Sequence, residues 1–193
     1  MVTVEGKLAR SSQPASHSSS AQGLTGNSTA SSQGDIMDTP TPTPRPQAVI
    51  VKPEQAQPIK PFGLDMQVLL STEDTGGAIS VIMACHQPGE GPPDHVHFDQ
   101  EETFFIVDGS YEITVGEQTT IAGPGTIVFI PRNVVHRFKN IGTSAARMLD
   151  WSLPGGQDHY FKAISELAAS GGFSGEKVME ISKKFDTNFP SRR

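Results

Sequence analysis

The feature that most constrains this chain is a succession of short apolar segments, each ended by glycine, proline or another turn-forming residue. Short segments rich in β-branched and aromatic side chains are typical of β-strands. Strands that follow one another without helices between them predict an antiparallel sandwich or barrel rather than a βαβ fold. The run 126–130 is continuously apolar, as expected of a strand covered on both faces. The predicted strands are 48–51, 62–71, 79–86, 103–107, 111–115, 118–121, 126–130, 136–140 and 145–153.

The periodicity changes from that of strands to that of helices after Pro154-Gly155-Gly156. Apolar residues then recur at helical spacing, which predicts one helix ending near Gly171-Gly172 and a second, shorter helix after it. Ser174 is the predicted N-cap of the second helix. The apolar positions that define the two helices are Phe161, Ile164, Leu167, Ala168, Val178, Ile181 and Phe185.

Residues 1–46 differ in composition from the rest of the chain. Ser, Thr, Gln, Gly and Pro dominate there, including the alternating Thr-Pro run 39–44. Such a segment buries too little apolar surface to offset its ordering entropy, so it is predicted to be disordered. Met37 precedes the Thr-Pro run, and one hypothesis makes it the native start. The predicted division is therefore a tail at 1–46, a β-barrel at 47–153 and a helical extension at 154–193 that packs on the barrel.

Charge and cysteine content limit the classes of partner and compartment. The net charge is −6 and there is no basic stripe, which argues against nucleic acid as a partner. A single cysteine, Cys85, excludes an intramolecular disulfide and fits a reducing compartment. No segment is long and apolar enough to span a bilayer, and the N-terminus lacks the apolar region of a secretory signal. These features predict a cytoplasmic protein that binds neither nucleic acid nor membrane.

A group of histidines and carboxylates predicts a metal site. His95 and His97 are one residue apart, so on an extended segment both point to the same side. A third imidazole, His136, follows a predicted hairpin, and a carboxylate comes from Glu101 or Glu102. Strand parity does not choose between the two glutamates, because both share a face with apolar residues. Three imidazoles and one carboxylate suit a divalent transition metal.

These residues resemble the two sequence blocks of the cupin superfamily. The first block reads Gly, five residues, His-x-His, three or four residues, Glu, six residues, Gly. The second reads Gly, five residues, Pro-x-Gly, two residues, His, three residues, Asn. The resemblance selects Glu102 over Glu101. The sequence departs from the second block at one position, where Asn133 replaces glycine, and asparagine tolerates the left-handed backbone well. The matching positions are Gly89, His95, His97, Glu102, Gly109, Gly125, Pro131, His136 and Asn140.

The resemblance implies a fold, a cofactor and an oligomeric state. The implied fold is all-β, a double-stranded β-helix or jelly-roll barrel, with the two helices after it. The segment after Leu153 is similar to the single-domain, quercetin-dioxygenase-like cupins. The implied cofactor is one divalent metal, Fe, Mn, Ni, Cu or Zn, held by His95, His97, Glu102 and His136. The implied assembly is a homodimer.

Candidate residues of a substrate pocket follow from strand parity. Phe104, Ile106 and Phe138 have the parity of Glu102 and His136, so they are predicted to point toward the metal, although packing in the barrel core is the favoured explanation for them. His86 is a candidate proton-transfer group at the pocket mouth, with a loop or surface position as the alternative. Either Trp151 or its neighbour Asp150 is expected to face inward. The final list of pocket candidates is Phe104, Ile106, Phe138, His86 and Trp151.

Three hypotheses for function follow. The first is a metal-dependent, dioxygenase-like oxidoreductase acting on a small oxygen-bearing organic molecule, with Glu102 as a possible base. The second is a non-oxidative isomerase or lyase in which the metal is a Lewis acid. The third is a non-catalytic module that binds a small molecule. Because one fold hosts many chemistries, the sequence does not separate the three.

Overall fold

The computed structural model describes residues 48–190. Nine β-strands are followed by two α-helices, with two short 3-10 turns at Pro53–Gln55 and Pro61–Gly63. The predicted tail at 1–46 lies outside the described residues. In the described part no helix is long and apolar enough to cross a membrane. The strands are β1 Gln57–Ile59, β2 Asp65–Leu70, β3 Ser80–His86, β4 Glu101–Asp108, β5 Tyr111–Val115, β6 Gln118–Ala122, β7 Ile127–Ile130, β8 His136–Asn140 and β9 Ala146–Leu153; the helices are α1 Gln157–Ala169 and α2 Gly175–Lys184.

The strands form two antiparallel sheets. One has the order β1-β2-β3-β9-β4-β7 and the other the order β6-β5-β8. Alternate residues of β3, β8 and β9 are buried, as the period of a strand requires. The all-β prediction is therefore confirmed. The core is formed by Ile59, Met66, Val68, Ile82, Ala84, Phe104, Ile106, Tyr111, Ile113, Ala122, Ile130, Phe138, Ala146 and Met148.

The predicted first strand, 48–51, is wrong. Those residues form no strand, and β1 instead lies in the proline-marked connection that follows them. Pro58 fits there because β1 is an edge strand, where a missing N–H leaves no ladder bond unmade. The strand predicted at 62–71 begins only at Asp65, since Phe62 and Gly63 adopt left-handed backbone angles in a 3-10 turn.

The prediction that 126–130 is covered on both faces is also wrong. The strand formed there, β7, is the edge of the six-stranded sheet. Its outward side chains Ile127 and Phe129 are 64% and 61% exposed. A continuous apolar run reports hydrophobicity but not whether a second layer covers the outer face.

The two helices follow the last strand, and α2 packs against α1. Ser174 caps α2 as predicted, because its side chain accepts a hydrogen bond from the backbone N–H of Lys177 at 3.3 Å. Helix α1 contacts β1, β3 and the turn at Pro61–Gly63. Its buried face includes Gln157 and Asp158 as well as apolar side chains. The first turn of α1 therefore brings polar groups into the interior.

Candidate metal centre

The four predicted ligands converge at one end of the core. Donor atoms of His95, His97, Glu102 and His136 all lie within 4.8 Å of one another, and all four residues are buried. The loop before β4 supplies the first two histidines, β4 supplies Glu102, and β8 begins at His136. His95 and His136 exchange two backbone hydrogen bonds, of 3.0 and 2.9 Å, as an isolated antiparallel bridge. This bridge fixes the histidine loop against β8.

Each of the three imidazoles donates its Nδ1 proton to a backbone carbonyl. The distances are 3.0 Å from His95 to Pro93, 2.8 Å from His97 to Asp186, and 3.0 Å from His136 to Val134. Such bonds fix the tautomer, so that each Nε2 carries a lone pair. This is the arrangement in which histidine binds a metal through Nε2.

Glu102 lies opposite these lone pairs. Its Oε2 is 2.7 Å from Nε2 of His136 and 3.6 Å from Nε2 of His97. Two acceptor atoms at such separations repel unless a proton or a cation lies between them. Nε2 of His97 is buried without a hydrogen-bond partner, since 3.6 Å is too long for one. The donor set and this unpartnered nitrogen fit a divalent transition metal.

Glu101 has a different environment from Glu102. Its Oε1 lies 3.1 Å from Nε of Arg132, and both side chains are partly exposed. The structure therefore brings Glu102, and not Glu101, into the histidine cluster. Asn133, the residue that replaces a glycine of the second block, has the expected left-handed backbone with φ 66°.

The acid–base balance of the cluster follows from burial and mutual contact. Burial would raise the pKa of Glu102, but the neighbouring imidazoles of His136 and His97 outweigh it and hold the pKa well below its ordinary value. Burial also lowers the pKa of His95 to about 4. For His97, burial is outweighed by the carboxylate of Glu102, which raises the pKa. Glu102 is therefore an ionised carboxylate, and His95 a neutral imidazole, at neutral pH.

The cluster opens into a cavity of about 1300 Å³ with largely apolar walls. Of the five pocket candidates, Phe138 and His86 line this cavity. Phe104 and Ile106 are fully buried in the core. Trp151 is half-buried and is not among the lining residues, whereas Asp150 beside it is. The apolar and aromatic lining includes Phe62, Leu64, Met66, Phe138, Tyr160, Phe161, Met179 and Phe189.

His86 is buried and not at the surface. It is 1% exposed, and its Nδ1 lies 3.0 Å from the hydroxyl of Tyr111. Its ring also meets Phe138 edge-on, with centroids 4.9 Å apart. Burial lowers the pKa of His86 to about 4, so the ring is neutral at physiological pH.

Around the cluster, sequence reasoning missed two polar residues, Gln157 and Asp186, and left a third, Asp150, as the alternative to Trp151. Gln157 donates through Nε2 to Oε1 of Glu102. Asp150 lies near Glu102, and burial, followed by the charge of Glu102, raises the pKa of Asp150 well above its ordinary value. Asp186 accepts backbone N–H bonds from Phe98, Asp99 and Gln100 at 3.0, 2.7 and 3.1 Å. Only Asp150 had a signal in the sequence, its place beside Trp151 on the last strand.

A second group of ionisable side chains, Glu73, Asp158 and His159, is structural. Asp158 is bonded to the hydroxyl of Thr72 and, at 3.0 Å, to the ammonium of Lys162. Because Lys162 already neutralises the carboxylate of Asp158, we interpret this group as a set of contacts that stabilises the start of α1 rather than as a cation site.

Comparisons with known proteins agree with this geometry. Residues 82–152 match the Cupin domain family. "Polyketide synthase CurC" of Streptomyces cyaneus is 36% identical over 107 residues, which are 54% of this chain and 68% of CurC. "Protein SchB" of Streptomyces halstedii is 34% identical over 105 residues, covering 53% of this chain and 75% of SchB. The solved structure of KdgF from Halomonas sp. has a TM-score of 0.52 at 13% identity, and the match covers 58% of this chain and 99% of KdgF. This likeness confirms the predicted double-stranded β-helix.

Proposed function

The chain belongs to the cupin superfamily, and we propose that it is a metal-dependent enzyme that converts an enolisable, polyketide-type organic molecule without oxidising it. The proposed reaction class is an isomerisation, dehydration or ring closure, which extends the second hypothesis from sequence, a non-oxidative isomerase or lyase. The similarity to a protein named as a polyketide synthase supports this class of substrate. A polyketide chain carries alternating carbonyl and methylene groups, and the protons between two carbonyls are readily removed.

One observation carries the proposal: the histidine–carboxylate cluster opens directly into a large apolar cavity. His95, His97 and Glu102 line this cavity together with aromatic side chains. A pocket with apolar walls and a few convergent polar groups is the usual form of a small-molecule site. A cavity of about 1300 Å³ has room for a molecule of several fused rings.

The residues of the chain have separate roles in this proposal. His95, His97, His136 and Glu102 hold the metal, which when bound supplies Lewis acidity toward a carbonyl oxygen. The aromatic walls hold the rings of the substrate and exclude water. Glu102 is the proposed proton acceptor, as the carboxylate that belongs to both the cluster and the cavity wall.

Reconstitution with different metals under controlled oxygen tests the proposal. Protein loaded with Zn²⁺, which has no redox chemistry, is mixed with aromatic poly-β-ketone substrates under anaerobic conditions. Conversion seen by absorbance and mass spectrometry, with no change in oxidation level, supports the proposal. Absence of conversion with any metal, despite measured binding, would leave the non-catalytic binding module as the function.

The second candidate is the dioxygenase-like oxidoreductase predicted first from sequence. Three imidazoles and a carboxylate also suit iron, copper and nickel. The same experiment separates the candidates, because the oxidative reaction requires a redox-active metal and consumes dioxygen. Turnover that occurs only in air, with stoichiometric oxygen uptake, would replace the non-oxidative proposal.

The homodimer implied by the resemblance is a further part of the proposal. The measurement that tests it is light scattering coupled to size-exclusion chromatography. A mass twice that of the 20.6 kDa chain is the expected result. A mass of one chain across the micromolar range would contradict it.

A further inference from the structure

Two buried oxygen atoms in the cavity wall have no hydrogen-bond partner. They are Oδ1 of Asp150 and Oε1 of Gln157, and each residue is only 5% exposed. Buried polar atoms are almost always hydrogen-bonded, so such an exception requires an explanation. Both residues line the same cavity as His95, His97 and Glu102.

The orientation of Gln157 is fixed by its contact with Glu102. Its Nε2 donates to Oε1 of that carboxylate. The opposite amide orientation would place a carbonyl oxygen against a carboxylate oxygen, and neither atom can donate. Oε1 of Gln157 is therefore an acceptor that needs a donor from elsewhere.

Asp150, on a different secondary-structure element, also has a buried oxygen without a hydrogen-bond partner. It lies on β9, opposite Phe104 on β4 and Ile82 on β3, with its side chain buried. Its carboxyl group lies near the carboxylate of Glu102, and its Oδ1 has no hydrogen-bond partner. Two unpaired acceptors thus stand beside the same metal ligand.

We propose that Asp150 and Gln157 form a hydroxyl-binding subsite next to the metal centre. The substrate then carries two oxygen functions on one edge: one faces the histidine cluster, and the other is a phenol or enol hydroxyl that donates to the subsite. This inference rests on the proposed function, in that it takes the cavity as the substrate pocket. It narrows the substrate class from oxygen-bearing molecules to hydroxylated aromatic or enolic ones.

The walls of the cavity agree with that class. Tyr160, Phe161 and Phe138 contribute aromatic surface to it, which suits flat ring systems. A hydroxyl brought into such apolar surroundings needs its own partner, because burial without one is unfavourable. The two acceptors supply that partner, so a second hydroxyl is recognised and an unsubstituted edge is not.

Binding of naphthols to the Zn²⁺-loaded protein tests the subsite. The probes are 1-naphthol and the 1,2-, 1,3- and 1,8-dihydroxynaphthalenes, titrated by fluorescence or calorimetry. At least one dihydroxy isomer is expected to bind about five- to tenfold more tightly than 1-naphthol, the gain of one added hydrogen bond. In Asp150→Leu, similar in shape but without oxygens, that gain should fall to about twofold or less. The gain is measured relative to 1-naphthol within each protein, with Zn²⁺ in excess so that the wild type and the variant are both fully loaded.

A second comparison does not depend on any variant. Methylation of the second hydroxyl of the best isomer removes its donor, and the gain should disappear in the wild-type protein. If no dihydroxy isomer exceeds 1-naphthol, or if the gain persists in Asp150→Leu or after methylation, the subsite does not exist and the two oxygens bind water. Because this experiment measures binding and not turnover, it can disprove the subsite without disproving the proposed reaction. Likewise, a failure to observe the reaction would not disprove the subsite.

Discussion

The backbone carbonyl of Asp186 accepts the Nδ1 proton of His97 at 2.8 Å, although 89 residues of sequence separate them. The carboxylate of the same aspartate accepts three consecutive N–H groups of the histidine loop. Val96 and Asn188 add an isolated antiparallel bridge alongside. The segment after α2 therefore holds one proposed metal ligand in place, although it lies outside the region that matches the cupin domain.

Asp186→Asn should weaken metal binding. Asparagine tolerates the left-handed backbone found here, with φ 56°, so the change leaves the turn intact. It replaces one acceptor oxygen with an amide group that cannot accept from Asp99 and Gln100. Because residues that orient a ligand typically contribute 10- to 100-fold to affinity, a loss of about tenfold is expected in competition with a chelator. The matched control is Asp99→Asn on the same loop; an equal loss there would show a general effect of charge.

His97→Ala should lose most of the bound metal and the thermal stability that the metal provides. The reason is that the lone pair of Nε2 of His97 is buried with no protein partner, and a bound metal is the group that would accept it. Elemental analysis and melting curves with and without added Zn²⁺ measure the effect. His159→Ala, which changes a histidine outside the cluster, should keep both properties. Full metal occupancy in His97→Ala would remove His97 from the ligand set.

The stability of the metal-free protein should fall as pH decreases from about 6.5 to about 4, in part because of His86. Burial lowers the pKa of His86 from 6.5 to about 4, so between these values the unfolded chain binds a proton that the folded chain does not. Stability therefore rises with pH through this window, by roughly 2 to 3 kcal/mol from this group. His86→Phe should flatten the curve by about that amount in denaturant unfolding at several pH values. An unchanged slope would show that the buried ring titrates normally.

Phe138→Leu should affect both stability and ligand binding, whereas Phe104→Leu should affect stability alone. Both rings are buried and their centroids are 5.2 Å apart, but only Phe138 lines the cavity. Each change is expected to lower the free energy of unfolding by about 1 to 2 kcal/mol. Only Phe138→Leu should also weaken the binding of 1-naphthol. Equal effects on binding would mean that the cavity responds to core packing in general.

The part of the site that the sequence predicts is the part set by short-range spacing. His95 and His97 share a side because of strand geometry, and the block that includes Gly109 selects Glu102. Gly109 has a left-handed backbone with φ 83°, and a side chain at this position would collide with Ala146. Glycine is therefore sterically required at this position of the block. Local pattern and local geometry agree at these positions.

The rest of the site depends on contacts between distant segments. Gln157 meets Glu102 across 55 residues, and Asp186 meets His97 across 89. Neither residue carries a local signal of these contacts, because helix periodicity describes the apolar face of α1 and not the polar group at its first turn. The same limit explains the error at β7, where hydrophobicity does not reveal which sheet edge a strand occupies.

Because the segment after α2 is bridged to the histidine loop, the rate at which a protease cleaves near it should depend on whether the metal is bound. Lys183 and Lys184 are exposed at the end of α2, two to three residues before Asp186. If the metal binds only when Asp186 holds His97, then by thermodynamic linkage the bound metal also stabilises the contact between the segment after α2 and the histidine loop. Trypsin should therefore cut after these lysines more slowly in the loaded protein than in the chelator-treated one.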